Sequence, residues 1–381
     1  MQAEIVLHTL TMGDRVVWKP DSKSISISFN APRKVLSTSL LNGAYREDLT
    51  GVFNHNCGPD DGSHCRLLAD TYEEHMRIMA RNVGFDPDQT TGMGTAASME
   101  NVAIVVKKFR ELTVTAIATA GVEGNGGRVG DPTPHYSPVE KIREHKPGTI
   151  NIMLVIDADL PPGIMARALV TCTEAKTAAL QELMAGSLYS TGLATGSGTD
   201  QTIVVTNPQS PLYFEGAGKH NKLGELIGLA VKPAVKEALL KQTGLSPDMQ
   251  HSVLRRMKRF GISADGLWKR YQGIQECSEG KETFLDCLNH WERTSQAVVA
   301  SSLYAHLMDQ LQWELLAADE AREWGNEILR NLGRKCSVIA PLVPKGEIDV
   351  LRDTWEQMML ACLQKKIDQE TGNGSIVAAN R

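Results

Sequence analysis

The sequence predicts an α+β protein: a layered domain of mixed β-sheet with packed helices, followed by an all-α C-terminal domain. Residues 1–245 hold 13 of the 16 prolines and 24 of the 33 glycines, which indicates many turns, whereas residues 246–381 hold five of the six tryptophans. Between the two parts, Ser246 can cap a helix whose first position is Pro247. We therefore expect domains at 1–245 and 246–381.

In the first domain, short β-branched or alternating runs separated by turn residues predict strands. These runs are 5–10, 15–18, 24–29, 34–39, 102–106, 112–118, 149–156 and 202–206, with a tight turn at Lys107-Lys108 between the fifth and sixth. Apolar residues at helical spacing predict helices over 65–81, 161–183 and 222–241. Strand pairs mixed with helices favour α+β layers over a strict βαβ alternation.

The C-terminal domain is predicted to be helical from an apolar stripe at four-residue intervals. The stripe consists of Val299, Leu303, Leu307, Leu311 and Leu315, with Met308 beside it. No catalytic pattern is evident in this domain, so we expect an accessory role that the sequence does not define.

Composition excludes several classes of protein. The 381 residues are 42% hydrophobic and 22% charged, and no apolar run approaches the roughly 18 residues of a membrane span. A net charge of −5 argues against a nucleic-acid partner. No secretory signal is visible, and seven scattered cysteines are typical of reduced thiols. We therefore expect a cytoplasmic protein without membrane or nucleic-acid partners, and a homo-oligomer stays open.

A glycine-rich loop at 119–131 follows one predicted strand. Its five glycines allow a ligand close to the backbone, but the spacing matches neither a dinucleotide motif nor a P-loop. A plain surface loop is the alternative. Arg128 and Asp131 at fixed offsets favour a binding loop, with Asn125, Gly126 and Gly127 as substrate contacts.

A second polar segment begins at Asp157, directly after a predicted buried strand. Its carboxylate can act as a base or orient a neighbouring group, and we expect it to contact the substrate. The helix that follows carries Glu174 among small residues, where a substrate can approach. A solvated helix face is the alternative for this helix.

A third segment packs hydroxyls and backbone amides before the strand at 202–206, which suits a nucleophile or an oxyanion hole. It contains Gly196, Ser197, Gly198, Thr199 and Asp200. A purely structural turn is an equal alternative. Downstream, His220 can serve as a general acid or base, and Lys222 can bind substrate.

Histidine and cysteine residues between 54 and 65 raise the question of zinc. The spacing H-x-C-x6-H-C matches no recognised finger, and the adjacent His64 and Cys65 would ligate one ion awkwardly. We therefore expect no metal site. Asn54, His55 and Asn56 are predicted instead to bind amide groups of a ligand.

Several motifs, in order along residues 20–243, are similar to the adenosylcobinamide amidohydrolase family. They are Leu41-Asn-Gly-Ala-Tyr-Arg46, Phe53-Asn-His-Asn56, Thr95-Ala-Ala-Ser-Met-Glu100, the run 119–132, Gly148-Thr-Ile-Asn-Ile152, Ala166-Arg-Ala168, Thr173-Glu-Ala-Lys-Thr-Ala178, the run 194–200, Gly218-Lys-His220 and Lys222-Leu-Gly-Glu225. The resemblance implies hydrolysis of the amide between aminopropanol and the corrin ring of adenosylcobinamide, giving adenosylcobyric acid and 1-amino-2-propanol in corrinoid salvage. No cofactor is then required, because the cobalt corrinoid is the substrate.

Chemistry, rather than the resemblance, suggests roles for the candidate residues. The preferred scheme has Asp131 or Glu174 activate water and Arg128 and the amides near Gly198 stabilise the oxyanion, while His220 protonates the leaving amine. A rival scheme has Ser197 or Thr199 attack directly. A non-hydrolytic corrinoid carrier or sensor and a zinc-dependent hydrolase are the alternative functions.

Overall fold

The computed structural model describes residues 4–58, 67–133, 148–273 and 280–378, with side chains up to residue 370. Two compact units are present, Met1–Ser246 and Pro247–Arg381. Within the described residues, no helix is both long enough and apolar enough to span a membrane.

The first unit contains thirteen strands and three α-helices among its described residues. The strands are β1 Ile5–Thr9, β2 Arg15–Lys19, β3 Ser24–Ser28, β4 Lys34–Ser37, β5 Ala44–Arg46, β6 Gly51–Asn56, β7 Thr90–Thr95, β8 Ala103–Phe109, β9 Leu112–Ala120, β10 Gly126–Gly127, β11 Ile150–Ile156, β12 Gly196–Ser197 and β13 Gln201–Thr206. The helices are α1 Tyr72–Val83, α2 Pro162–Glu182 and α3 Lys222–Thr243.

Two large sheets pack face to face in this unit. The five-stranded sheet has the order β1-β2-β3-β6-β7 and the six-stranded sheet the order β5-β4-β13-β11-β9-β8. Side chains from both sheets, such as Ile27 and Val52 from the first and Met153 and Val205 from the second, form one apolar core. Helix α1 packs on the five-stranded sheet around Phe53, and α2 and α3 pack on the six-stranded sheet. The α+β fold class is confirmed as four layers.

The long strand β9 explains why the centre of the six-stranded sheet is so apolar. All nine of its residues are buried, because the inter-sheet core covers one face and α3 the other. Residues of a strand alternate between faces, so burial on both requires an unbroken run of small and apolar side chains.

Some predicted boundaries are wrong. The turn between β8 and β9 falls at Arg110, which has φ +53°, because β8 continues through Lys107-Lys108 to Phe109. Helix α1 begins at Tyr72, since the Thr71 side chain caps it by accepting from the Glu74 amide. Leu68 is exposed, and residues 65 and 66 lie outside the described residues.

The predicted runs do not include strands β5, β6 and β7 or the two-residue strands β10 and β12. Strand β7 reads Thr-Thr-Gly-Met-Gly-Thr, and its two glycines conceal the apolar alternation. Gly92 faces the Phe53 ring, where an added Cβ would approach the ring to 2.2 Å. The glycine is therefore required by close packing.

The second unit is helical in its described residues. Its helices are α4 Val253–Met257, α5 Ala264–Gln272, α6 Lys281–Trp291, α7 Ser295–Gln312, α8 Ala318–Cys336 and α9 Ile348–Ala378. The predicted apolar stripe is only partly buried: Val299 and Leu303 are each 57% exposed, whereas Tyr304 and Met308 lie in the core. Strict four-residue spacing drifts around a helix of 3.6 residues per turn, so the stripe departs from the buried face.

The strand register defines two ends of the six-stranded sheet. At one end, Ala120 of β9 pairs with Ile150 of β11, and Gln201 of β13 pairs with the next residue of β11. We call this the ladder end. At the other end, Ile156 lies between Val114 and Thr206, and we call it the far end. The six residue steps of β9 from Val114 to Ala120, at about 3.3 Å each, separate the ends by roughly 20 Å.

Candidate functional site

Two of the predicted polar loops meet at the ladder end. Gly126 and Gly127 pair antiparallel with Ser197 and Gly196, forming the short ladder β10/β12. The Thr195 amide donates to the Gly127 carbonyl over 2.8 Å. The structure therefore joins segments that lie about 70 positions apart in the sequence.

Glycine is required at Gly196 because of its neighbours. An added Cβ would lie 2.3 Å from Asp200 Oδ2 and 2.7 Å from Lys176 Nζ. Only a residue without a side chain leaves room for this ion pair directly beneath the ladder.

Ser197 and Asp200 form a close side-chain pair. Ser197 Oγ donates to Asp200 Oδ1 over 2.6 Å, and the Ser197 amide donates to Asp200 Oδ2 over 3.0 Å. Lys176, from α2, binds Oδ2 in an ion pair whose side chains are each 12% exposed. The Ile150 amide adds a bond to Oδ1 of 2.9 Å. Three other donors thus hold the carboxylate against the half-buried serine hydroxyl.

Thr199 is arranged differently from Ser197. Its hydroxyl donates to the Gly148 carbonyl over 3.1 Å, and a carbonyl oxygen cannot take up the proton at neutral pH. Its own carbonyl accepts from Thr149 Oγ1 over 2.7 Å. Gly198, between the two hydroxyl residues, is exposed, and its amide donates to no group within the described residues.

Asp131 ties the glycine-rich loop to the segment after α2. Its Oδ2 accepts from the Arg128 amide over 2.7 Å and from the Ser187 hydroxyl. Burial alone would raise the pKa of Asp131, but the bonds from Ser187, Ser190 and the Arg128 amide outweigh it and lower the pKa. A carboxylate with a lowered pKa is a weak base. The Arg128 side chain packs against Gly192.

A buried amide network connects the two sheets below the ladder. Asn54 Nδ2 donates to Thr119 Oγ1 over 2.9 Å, and Asn151 Nδ2 donates to Asn54 Oδ1 over 2.8 Å and to the Gly94 carbonyl over 3.0 Å. Asn125, in the glycine-rich loop, donates to the Gly148 carbonyl. Asn54, Asn125 and the two ladder segments are therefore gathered at one end of the sheet.

His55 and Asn56 lie apart from this network. Strand alternation turns His55 to the α1 side of its sheet, where its ring lies 5.8 Å from the His75 ring. Burial, with the charge of His75 second, lowers the pKa of His55 to about 4. Asn56 Oδ1 accepts from the Gly58 amide over 2.8 Å, so it closes a turn.

Four other predicted residues lie elsewhere. Asp157 is at the far end, where Asn207 Nδ2 donates to it over 2.9 Å. Lys222, at the start of α3, binds Glu225 and lies 4.7 Å from the centre of the Phe109 ring, also at the far end. His220 is exposed two residues earlier.

Glu174 pairs with Lys219 over 2.8 Å in an exposed ion pair on the outside of α2. The Lys219 hydrogen bond lowers the pKa of Glu174. The structure therefore does not bring Glu174, Asp157, His220 or Lys222 to the ladder.

The described residues contain no group of three or more His, Cys, Asp and Glu side chains that could hold a metal ion. His64 and Cys65 lie outside these residues. Cys57 is disulfide-bonded, so the expectation of reduced thiols is wrong there, whereas Cys172, Cys287, Cys336 and Cys362 are free.

Sequence reasoning did not single out Lys176, Ser187, Asn151 or Gln201. A usable signal existed for two of them, since Lys176 and Asn151 lie inside motifs that carried the family resemblance. Gln201 directly follows the polar segment 196–200, whereas Ser187 has no distinctive neighbours and only the folded chain brings it to the ladder end.

Comparison with known proteins agrees with the resemblance. Residues 7–247 match the family described as adenosylcobinamide amidohydrolase. An uncharacterised protein of Methanocaldococcus jannaschii is 35% identical over 250 residues, covering 62% of this chain and 91% of the relative. An adenosylcobinamide amidohydrolase of Methanosarcina mazei is 31% identical over 175 residues, covering 44% of this chain and 74% of the relative.

Among solved structures, the L-aminopeptidase D-Ala-esterase/amidase of Ochrobactrum anthropi is 12% identical, with a TM-score of 0.26 and coverage of 63% of this chain and 82% of that one. The family match spans well over half of the sequence and includes both strands of the ladder. The chain therefore belongs to the adenosylcobinamide amidohydrolase family and is an amidohydrolase that acts on adenosylcobinamide.

Proposed function

We propose that this enzyme hydrolyses the amide that joins aminopropanol to the corrin ring, releasing adenosylcobyric acid and 1-amino-2-propanol. Water supplies the hydroxyl of the new acid and a proton of the new amine, so the reaction needs no further reactant. The acid can then be rebuilt with another lower-ligand arm, which would make this a salvage reaction. Its location in the cytoplasm stays a prediction.

The observation that carries the proposal is the contact between Ser197 Oγ and Asp200 Oδ1 at 2.6 Å, with Lys176 on the other carboxylate oxygen. A serine hydroxyl is a weak nucleophile unless a base accepts its proton as it attacks. Asp200 is in position for that transfer, and Lys176 acts as a positioning residue that keeps Oδ1 turned toward Ser197.

The same geometry favours Ser197 over its rivals. The Thr199 proton points to a carbonyl oxygen, and the lowered pKa of Asp131 makes that residue a poor activator of water. Glu174 is held by Lys219 on the outside of α2. Direct attack by Ser197 is therefore the scheme that the contacts support best.

In this scheme, Ser197 Oγ forms a bond to the amide carbon while Asp200 takes the hydroxyl proton. The Gly198 amide donates to the resulting oxyanion. When the C–N bond breaks, Asp200 returns the proton to the departing aminopropanol nitrogen. Water then hydrolyses the corrinoid ester on Ser197 and regenerates the hydroxyl.

The proposal is tested by incubating the full-length protein with adenosylcobinamide and identifying products by liquid chromatography and mass spectrometry. We expect adenosylcobyric acid and 1-amino-2-propanol in equal amounts. Release of ammonia with aminopropanol still attached would overturn the choice of bond, because another amide of the ring would then be the substrate. Protein inactivated by heat is the control.

A further inference from the structure

Two amide oxygens at the ladder end have no hydrogen-bond partner in the part of the chain that the structure describes. Asn151 Oδ1 and Gln201 Oε1 are both buried and unpartnered within the described residues. Asn151 is fully buried, and the bond from its Nδ2 to the Gly94 carbonyl fixes which end of its amide is the free acceptor. Burying an acceptor without a partner is unfavourable, so the position of these oxygens requires an explanation.

The two oxygens belong to one place in the fold. Asn151 and Gln201 are register partners on the parallel strands β11 and β13, so their side chains point to the same face of the sheet. That face is the inter-sheet one, because Met153 and Ile203, two residues further along the same strands, belong to the inter-sheet core. Asn151 also contacts Asn54 of the opposite sheet.

The pair is also directly connected to the reacting residues. Gln201 follows Asp200 in the chain, and Asn151 follows Ile150, whose amide donates to Asp200 over 2.9 Å. A third unpartnered amide oxygen, Asn125 Oδ1, belongs to the loop that forms the other strand of the ladder. Among the described residues, unused acceptors therefore concentrate at the ladder end, the same end of the sheet at which Ser197 lies.

We propose that Asn151 Oδ1 and Gln201 Oε1 form a subsite for a primary carboxamide of the substrate, each accepting one of its two N–H groups. This subsite rests on the proposed function. A carboxamide side chain of the corrin would lie between the two sheets, and the corrin ring would stay outside them. A carboxamide is the matching ligand, because its –NH2 group offers two donors to two neighbouring acceptors.

The first test uses the unmodified enzyme and two corrinoids. In one, the corrin side-chain carboxamides are intact; in the other, they are methyl esters, which keep the carbonyl and lose the N–H donors. We expect the ester form to bind at least tenfold more weakly in a direct titration. Equal affinity would overturn the subsite and indicate that only water meets the two oxygens.

The second test separates this subsite from ordinary packing. Gln201→Met keeps the volume and removes the acceptor, so KM for adenosylcobinamide should rise about tenfold, as expected for one lost hydrogen bond, with kcat within threefold. Thr113→Val is the matched control, since Thr113 Oγ1 is also buried and unpartnered but lies on β9 at the far end. It should leave KM unchanged.

An unchanged KM in Gln201→Met, in an enzyme that still releases aminopropanol, would reject the subsite alone. A wild-type enzyme that releases none would reject the proposed function instead. If Gln201→Met does not fold, the comparison of carboxamide and ester corrinoids decides the question.

Discussion

The two ends of the six-stranded sheet are both rich in polar residues, yet they are built differently. At the far end, opposite charges are matched: Arg33 binds Asp14 over 2.8 Å with both side chains buried, and Lys34 binds Asp159 over 2.6 Å. At the ladder end, glycines expose the backbone, a serine hydroxyl faces a carboxylate, and amide oxygens lack partners among the described residues. A dense polar cluster can therefore be structural.

This difference between the two ends shows which features distinguish a candidate active site from a structural polar cluster. Satisfied polar groups stabilise a fold and have no capacity left for a ligand, whereas an accessible hydroxyl and unused acceptors retain that capacity. Asp157 and Asp200 illustrate this, because each lies at an end of a strand and each is hydrogen-bonded, but of their two carboxylates only that of Asp200 accepts from a serine hydroxyl.

The largest expected difference in catalytic activity is between variants of these two aspartates, Asp200 and Asp157. Asp200→Asn removes the proposed base, so kcat/KM for aminopropanol release should fall about 10³-fold or more. Asp157→Asn changes a far-end hydrogen bond and should stay within threefold of the wild type. Steady-state kinetics on both variants measure this contrast. Equal losses would remove the functional distinction between the two ends.

The second prediction concerns the far end, where a substitution should lower stability and leave activity unchanged. Arg33→Met leaves the Asp14 carboxylate buried without its partner, which should lower the free energy of unfolding by about 3 to 5 kcal/mol. At a temperature where the variant is folded, kcat and KM should match the wild type, because the far end takes no part in the reaction. Urea denaturation and kinetics on the same preparation provide the check.

The pH dependence of stability offers a third test, located in the five-stranded sheet. Burial, followed by the charge of His75, lowers the pKa of His55 to about 4, against about 6.5 in an unfolded chain. Between these values the unfolded state binds more protons, so the free energy of unfolding should decline by roughly 3 kcal/mol as pH falls from 6.5 to 4.

His55→Gln should flatten this decline, and the exposed His220→Asn should retain it. Denaturation at several pH values measures both. A decline that is unchanged in His55→Gln would show that another group causes it.

The smallest effects are expected where two sequence candidates lie away from the ladder. Glu174→Gln breaks an exposed ion pair, and such pairs contribute about 1 kcal/mol or less. His220→Ala removes an exposed side chain. Each variant should retain hydrolysis within twofold. A loss of more than tenfold in either would bring the water-activation scheme back, since that scheme needs a base at Glu174 or an acid at His220.

Much of the fold follows from local patterns. Strands such as β9 and β11 are unbroken apolar runs, and α3 carries a glycine immediately after its last residue, so both kinds of element can be read from the sequence. Strand β7 could not, because Gly92 is set by its contact with Phe53 and Gly94 by its contact with Tyr72, and neither by any local preference.

The site was only half predictable for a physical reason. The sequence locates polar residues at strand ends, but it does not say which ends share one edge of a sheet. Asp157 follows β11, whereas Gly196 to Asp200 precede β13, and those two strands run parallel. Their polar segments therefore lie at opposite ends. Lys176 was missed because its partner becomes its neighbour only in the folded chain.

The most direct test of the central claim compares Ser197→Ala with Thr199→Ala in the release of aminopropanol from adenosylcobinamide. Loss of the nucleophile in Ser197→Ala should lower kcat by about 10³-fold or more with substrate affinity retained. Thr199→Ala should stay within tenfold of the wild type. If Ser197→Ala keeps more than a tenth of the wild-type kcat, Ser197 is not the nucleophile and the account of the ladder end as a serine-based site is wrong.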